Sequence, residues 1–309
     1  MGLSKKSKIF IAGRNGMVGS ACWRLLKKEG YYNLIGKLSS ELDLRNQEAV
    51  ESFFRKERPN IVIDAAARVG GIWANNHYQY EFLIDNLLIQ NNLIKSAHEN
   101  NTDKFIFLGS SCIYPKMAPQ PLKEEYLLSG PLEESNQWYA VAKIAGVKLI
   151  ESIRNMFNKD FISLMPTNLY GQGDNYDLKT SHVLPALIRK IHEAKKNNLN
   201  EVVIWGTGNP MRDFLHVDDL AKAVLFSLEN KLSKSLYNVG SGEEISIKEL
   251  SLLIGQIFGF NGKLVFDLSK PDGTPRKILD ISKISELGWS KTIALEEGIK
   301  KTIENYLEC

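Results

Sequence analysis

Two residues have types and spacing that could do chemistry directly. In Tyr139-Ala-Val-Ala-Lys143 a phenol and an ammonium stand four residues apart, which on a helix puts them on one face. A free tyrosine gives up its proton near pH ~10. A fixed cation a few ångströms away lowers that by on the order of 1–3 units. The phenol then becomes a usable acid toward the alkoxide formed when hydride reaches a carbonyl. Upstream, Leu108-Gly109-Ser110-Ser111-Cys112 closes an apolar run, and Ser110 can donate a second hydrogen bond to the same oxygen. The bland alternative is a buried tyrosine and an unrelated surface lysine. Position in the fold decides between them.

The elements that must position this pair alternate through the first half of the chain. Apolar strand-like runs fall at Ile9–Ala12, Asn33–Lys37, Ile61–Ile63, Lys104–Leu108 and Phe161–Met165. Between them lie helical patterns over Met17–Glu29, Gln47–Lys56, Tyr80–Asn100 and Tyr139–Met156. Near-continuous apolar strands separated by helices imply an α/β fold, a Rossmann-type, doubly wound parallel sheet covered on both faces. Tyr139 opens the helix after the fourth strand, and ligands of such sheets bind at the carboxyl ends of strands. After Pro166 longer Gly-, Asn- and Pro-containing loops separate helices near Val183–Lys196, Val217–Leu228 and Ile247–Phe258. This reads as a smaller α/β substrate domain, 169–212 plus 241–309, beside a cofactor domain of 1–168 plus about 213–240. The Tyr80 helix carries Phe82, Leu83, Leu87, Leu88, Leu93 and Ile94. That is too apolar for one face, and fits either burial in the monomer or a homodimer formed with the Tyr139 helix.

Composition narrows the class. The 309 residues are 43% hydrophobic and 24% charged with a net charge of +3, ordinary for a soluble protein. So small a charge argues against nucleic-acid and membrane partners. No apolar run nears the ~18 residues of a bilayer span, and the basic start Met1–Lys8 lacks a signal-peptide core. Cys22, Cys112 and Cys309 are scattered and odd in number, which points away from disulfides and zinc and toward a cytoplasmic enzyme with no metal.

Gly13-Arg14-Asn15-Gly16-Met17-Val18-Gly19 links the first strand to the first helix. Glycines so spaced allow a tight turn and let backbone approach a pyrophosphate, which then faces the free N–H groups of the helix. The second strand ends in Ile35-Gly-Lys-Leu-Ser-Ser40, with no acid before Glu41. NAD enzymes hold the ribose 2′-OH with an acid here. Its absence, with Lys37 and Arg14 nearby, favours NADP(H); Lys37 as a plain surface lysine is the alternative.

GxxGxxG, Ser110 and Tyr139-xxx-Lys143 together resemble the extended short-chain dehydrogenase/reductases. Ala66-Ala-Arg-Val-Gly-Gly-Ile72, Leu108-Gly-Ser-Ser-Cys-Ile-Tyr-Pro115, Met165-Pro-Thr-Asn-Leu-Tyr-Gly171, Phe214-Leu-His-Val-Asp-Asp219 and Lys270-Pro-Asp-Gly-Thr-Pro-Arg276 are similar to the GDP-L-fucose synthase family. The likeness runs in order from Ile9 to about Trp289. It implies inversion of GDP-4-keto-6-deoxy-D-mannose at C3 and C5 through an enolate, then reduction of C4 with NADPH to GDP-L-fucose. It also implies Cys112 as base and His182, in Ser181-His-Val-Leu-Pro185, as acid. Gly13–Gly19, Lys37, Leu108–Ser111, Lys143, His182 and the run Pro166, Thr167, Asn168 and Leu169 are implied in cofactor binding, with Lys143 on the nicotinamide ribose. Lys190, Trp205, Arg212 and Asp272 are implied to hold the GDP-sugar, and Asn175–Thr180 to order over it. Ser39 and Asn15 are neutral where a cation is expected, and Lys190 stands where arginine is familiar. A nucleotide-sugar 4,6-dehydratase would carry an Asp-Glu pair where this chain has Ser111-Cys112. Another GDP-4-keto sugar, dideoxy or heptose, stays open, and a non-catalytic cofactor-binding module would be expected to lose these side chains.

Overall fold

In the computed structural model residues 4–270 and 272–308 are described; Pro271, inside the Lys270–Arg276 block, and Cys309 lie outside them. β1 (Ile9–Ala12) leads into α1 (Met17–Lys28), β2 (Leu34–Ile35), α2 (Gln47–Glu57) and β3 (Ile61–Asp64). Next come α3 (Ile72–His77), α4 (Gln79–Glu99), β4 (Lys104–Leu108), α5 (Gln137–Phe157) and β5 (Asp160–Pro166). With β10 defined below, these strands form one parallel sheet in the order β10-β5-β4-β3-β1-β2.

Alternate residues of each strand point to opposite faces, and both faces are covered. Ile9, Ile11, Ile63, Ile106 and Leu164 pack on one side with α1 residues such as Leu26. Phe10, Val62, Phe105, Phe107 and Phe161 pack on the other with Phe54 of α2, Leu93 of α4 and Ile150 of α5. This double cover is why the strands read as continuous apolar runs. β2 is shorter than its sequence pattern, and just past it Gly36 takes the Arg14 side chain against its backbone: a Cβ at Gly36 would lie 2.0 Å from Arg14 Cδ.

α4 resolves the question of its apolar length in part. Phe82, Leu93 and Ile94 are buried beside Asn86 and Gln90, while Leu88 is exposed. Gln90 donates to the Ala142 carbonyl of α5 at 2.6 Å, which ties the two helices, while its own side-chain oxygen is buried without a partner among the described residues. Gly146 lets α5 close on the sheet, since a Cβ there would lie 2.5 Å from the Phe107 ring.

The rest of the chain builds the arms around the strand ends. β6 (Asn168–Tyr170), α6 (Val183–Lys196), β7 (Glu201–Trp205), β8 (Met211–Arg212) and β9 (Phe214–His216) come first. α7 (Val217–Glu229), β10 (Leu236–Val239), β11 (Ile245–Ser246) and α8 (Ile247–Phe258) follow, then β12 (Lys263–Asp267), β13 (Arg276–Lys277), α9 (Ser282–Ser285) and α10 (Leu295–Glu308). A separate core joins α6, β7, α8 and α10 through Leu187, Ile191, Ile204, Ile254 and Ile303. Ile284 and Trp289 pack instead with the sheet cluster around Ile9 and Ile106. Two small sheets, β12-β7 and β11-β8-β13, carry several of the polar residues considered next. Among the described residues no helix is long and apolar enough to cross a membrane.

Candidate active site

The glycine loop is fixed by close approach. Gly13 has φ +74°, and a Cβ on it would lie 2.7 Å from Ala65 O. At Gly19 a Cβ would lie 2.1 Å from Gly13 O. Gly16 precedes α1 with no side-chain cap, and no acid occupies the first turn. The uncapped N–H groups and the positive end of the helix dipole form a cradle that fits a dinucleotide pyrophosphate. At the end of β4, Gly109 lets the chain lie flat on Met165, whose Cε would be 2.1 Å from an added Cβ. After β5, Thr167 Oγ1 and Asn168 Nδ2 both donate to Asp213 O, at 3.0 and 2.8 Å, which fixes the segment from Pro166 to Leu169.

Beyond β2 the charges neutralise one another. Lys37 pairs with Glu41 at 3.4 Å, and Arg14 lies over the Trp23 ring while donating to Asn15 Oδ1. Glu41 also accepts the Leu38 N–H, and this bond, then Lys37 and Arg14, hold its carboxyl below the usual range. The acid that the sequence sets just past the strand thus sits among the two cations.

The tyrosine–lysine pair lies one turn apart at the start of α5, but one expectation fails. Lys143 is buried and donates to Leu108 O at 2.9 Å, with its Nζ 5.9 Å from the centre of the Tyr139 ring. Burial pulls the Lys143 ammonium down to about 8, partly opposed by the Asp64 carboxylate. Tyr139 is raised, not lowered: loss of water dominates, Cys112 and Asp64 add to it, and a hydrogen bond with Ser110 opposes it. The lysine charge is committed to the strand end and to Asp64, so it does not acidify the phenol. A phenol that keeps its proton at neutral pH still serves as a donor to an alkoxide, which is the stronger base. Ser110 caps a short turn by accepting the Cys112 N–H at 3.2 Å, so its own hydrogen is available to donate, to Tyr139 or to a substrate oxygen. Asp64, at the end of β3, lies just past the Ile61–Ile63 run and drew no reading from the sequence. It is fully buried with one oxygen unpartnered, and burial pushes it up to about 6.

Cys112 is half-buried, and its Sγ receives two donors, Asn136 Nδ2 and Lys277 Nζ, each at 3.4 Å. His182 stands just before α6 with an exposed edge. The protein packed around its ring, and then the Lys277 charge, hold its imidazole below the ordinary histidine value. Sequence reasoning missed both Lys277 and Asn136. The loop before His182 is already tied down: Asp177 accepts from Lys179 N, Thr180 N and Thr180 Oγ1, and Gly71 N donates to Thr180 O at 2.8 Å.

Of the four expected sugar-nucleotide residues, Lys190 lies on α6, Trp205 and Arg212 on the small sheets, and Asp272 in the loop between β12 and β13. Trp205 is 55% exposed, so it is not a core tryptophan, and its ring is flanked by Lys190 Nζ at 5.6 Å and Lys270 Nζ at 5.7 Å. Lys190 also donates to Val203 O. Asp272 accepts from Thr207 N and Thr207 Oγ1 at 2.7 and 2.8 Å, closing the loop after β7. Arg212 donates to Met211 O and is pulled below its ordinary value by burial, with Asp272 opposing. An open aromatic face between cations beside a guanidinium fork suits a base, a sugar and a pyrophosphate. Among the described residues no group of three or more His, Cys, Asp or Glu side chains could hold a metal ion.

Comparison with known proteins agrees with this geometry. The sequence pattern of the NAD dependent epimerase/dehydratase family matches residues 9–240. GDP-L-fucose synthase 1 of Arabidopsis thaliana is 53% identical over 98% of this chain and 94% of its own length. GDP-L-fucose synthase of Escherichia coli is 48% identical over 98% and 97%. Among solved structures, a GDP-mannoheptose C4 reductase from Campylobacter jejuni with NADP bound is 40% identical, covers 99% of this chain and 100% of its own, and superposes with a TM-score of 0.89.

Proposed function

The chain belongs to the NAD dependent epimerase/dehydratase family and, within it, to the GDP-L-fucose synthases, and from that premise we propose that it inverts C3 and C5 of GDP-4-keto-6-deoxy-D-mannose, then reduces C4 to give GDP-L-fucose. One observation carries the reading: Cys112 lies two residues from Ser110, so an acid–base pair with His182 adjoins the site for a carbonyl oxygen. C3 and C5 flank the ketone, so loss of a proton from either carbon gives an enolate whose charge rests on the C4 oxygen. Ser110 and Tyr139 hold that oxygen, Cys112 takes the proton, and His182 returns one to the opposite face. Bound NADPH supplies the hydride for C4. Tyr139 then protonates the new alkoxide, while Lys143, anchored on Leu108 O, binds the cofactor ribose.

NADP rather than NAD is supported by the NADP-bound relative; Arg14 of the glycine loop and Lys37 past β2 would hold a 2′-phosphate only in competition with Glu41. In the cofactor site we include Gly13, Gly16, Gly19 and the segments 108–111 and 166–169, and in the substrate site Lys190, Trp205, Arg212 and Asp272. The division into a cofactor domain and a substrate domain, 169–212 plus 241–309, follows the separate core of α6, α8 and α10. Exposed Leu88 on α4 and Trp138 and Val141 on α5 offer a homodimer surface, to be checked by light scattering. The free thiols of Cys22 and Cys112 suit the cytoplasm. A second reading, reduction or epimerisation and reduction of another GDP-4-keto sugar, heptose or dideoxy, is favoured by relatives with such names at 38–40% identity, less similar than the two synthases.

The deciding experiment runs the reaction in heavy water on GDP-4-keto-6-deoxy-D-mannose with NADPH. Deuterium is expected at both C3 and C5 of a GDP-L-fucose product. Reduction with no label at either carbon sinks the inversion and leaves a C4 reductase.

A further inference from the structure

Arg276 and Lys277 are neighbours on β13 with opposite fates. Arg276 spends its charge on Glu244 in a two-pronged pair at 2.7 and 2.9 Å. Lys277 has no carboxylate within 4.0 Å among the described residues, and its ammonium instead meets Cys112 Sγ at 3.4 Å. Such a placement is not accidental flexibility. β13 pairs with β8 in register, Lys277 beside Arg212, and the next residue is stitched to the loop after β4 by Leu122 N donating to Ile278 O at 2.8 Å. The charge is therefore held over the thiol by backbone on two sides. Asn136, just before α5, brings the second donor to the same sulfur at 3.4 Å, and its own carbonyl oxygen is buried and unpartnered.

We propose that Lys277, assisted by Asn136, is the positioning residue that makes Cys112 the proton acceptor and His182 the proton donor of the inversion. The proposal rests on the function given above. A cation beside a thiol favours its thiolate, the form that accepts a proton. The same cation beside an imidazole favours loss of the ring proton, so one charge biases the pair in the direction the step requires. In that step the thiolate sulfur takes a proton from the carbon next to the ketone. The C–H electron pair moves into the carbon–carbon bond, and the oxygen takes the charge under Ser110 and Tyr139. The His182 imidazolium then delivers a proton to the opposite face, which restores the ketone. Thiol and neutral imidazole remain and re-equilibrate with water. Lys277 moves no proton. The other charged or titratable groups facing this cluster are Lys116, Glu133 and Arg276, which line the same pocket with Lys116 paired to Glu133, together with Tyr114, Arg212 on β8, Tyr139 on α5 and, behind Tyr139, Asp64 on β3.

The test uses the full-length protein and its Lys277→Met, Lys277→Arg, Asn136→Ala and Cys112→Ser variants. Ultraviolet thiolate absorbance against pH, taken as the difference from Cys112→Ser, isolates this thiol from Cys22 and Cys309. Lys277→Met is expected to titrate at higher pH than wild type and to lose on the order of 10²-fold in deuterium exchange into the ketosugar at neutral pH. Its NADPH affinity stays unchanged. Lys277→Arg keeps most of the exchange. Asn136→Ala shifts the same titration less and in the same direction, and stands in if Lys277→Met does not fold. A Lys277→Met thiol that titrates as in wild type overturns the proposal; so does an unshifted Asn136→Ala when Lys277→Met is lost. If wild type itself exchanges no deuterium, the inversion reading fails separately, and the titration still decides what Lys277 does to the thiol.

Discussion

The two ends of the site are built on different physical plans. The reducing end, Ser110, Tyr139 and Lys143, sits on the rims of β4 and α5, within the packing of the large sheet. It is dry: Lys143 is 2% exposed and Asp64 not at all, and their pKa shifts come first from lost water. The inverting end, Cys112, Asn136, His182 and Lys277, is drawn from four separate segments, keeps contact with solvent, and is organised by one unpaired cation. A hydroxyl that must wait with its proton is served by burial. A pair that must exchange protons with water each turnover is served by access and a nearby charge.

That contrast can be broken most sharply at Tyr139. Tyr139→Phe is expected to slow C4 reduction by about 10³-fold, while deuterium exchange falls by only about 10-fold, the worth of one hydrogen bond to the enolate oxygen. Equal losses would show that the two ends are not separable. A smaller effect is expected at Asp64, whose carboxyl is raised in the fold to about 6 from 3.8. The folded state favours its protonated form, so the cost of ionising it is absent below pH ~3.9, grows through pH 6 and is complete above. Asp64→Asn is therefore expected to raise stability to denaturant by up to about 3 kcal/mol at pH 7, and to add little at pH 4. A gain equal at both pH values would reject the cause. Smaller again is the pH profile of exchange. Because His182 must be protonated to donate and is held below its ordinary value, the alkaline limb of exchange is expected below pH ~6.5. The limb for single-turnover reduction, which does not use His182, is expected higher. Last, Arg212→Lys keeps the charge but loses the fork, so KM for the GDP-sugar is expected to rise about 10-fold with kcat little changed.

Much of the reducing end was legible in the sequence because it is local. Glycine spacing reports backbone clearances, and Gly13 and Gly19 have no room for a Cβ. Spacing of four residues reports a shared helix face. It does not report where a long side chain ends, and the expected acidified phenol failed there, since Lys143 turned to Leu108 O. The inverting end was legible only through resemblance, and its cation not at all. Lys277 and Cys112 are 165 residues apart and meet because β13 pairs with β8, a register that no local pattern encodes. Asp64 was hidden for a related reason: a polar residue closing an apolar strand reads as its end, whether it points to water or into the protein.

One feature of the loop before α6 reaches into the descent of such enzymes. The backbone leading to His182 rests on Gly71, where an added Cβ would lie 2.5 Å from Ser181 O. A single methyl group at position 71 would push the proton donor off its mark while the nicotinamide cradle and the tyrosine stayed in place. A lineage could therefore turn an inverting reductase into a plain one without touching any reacting side chain. The divide between sugar-inverting and merely reducing cousins could thus be as narrow as one glycine, lying outside the places where a catalogue of reacting residues would look.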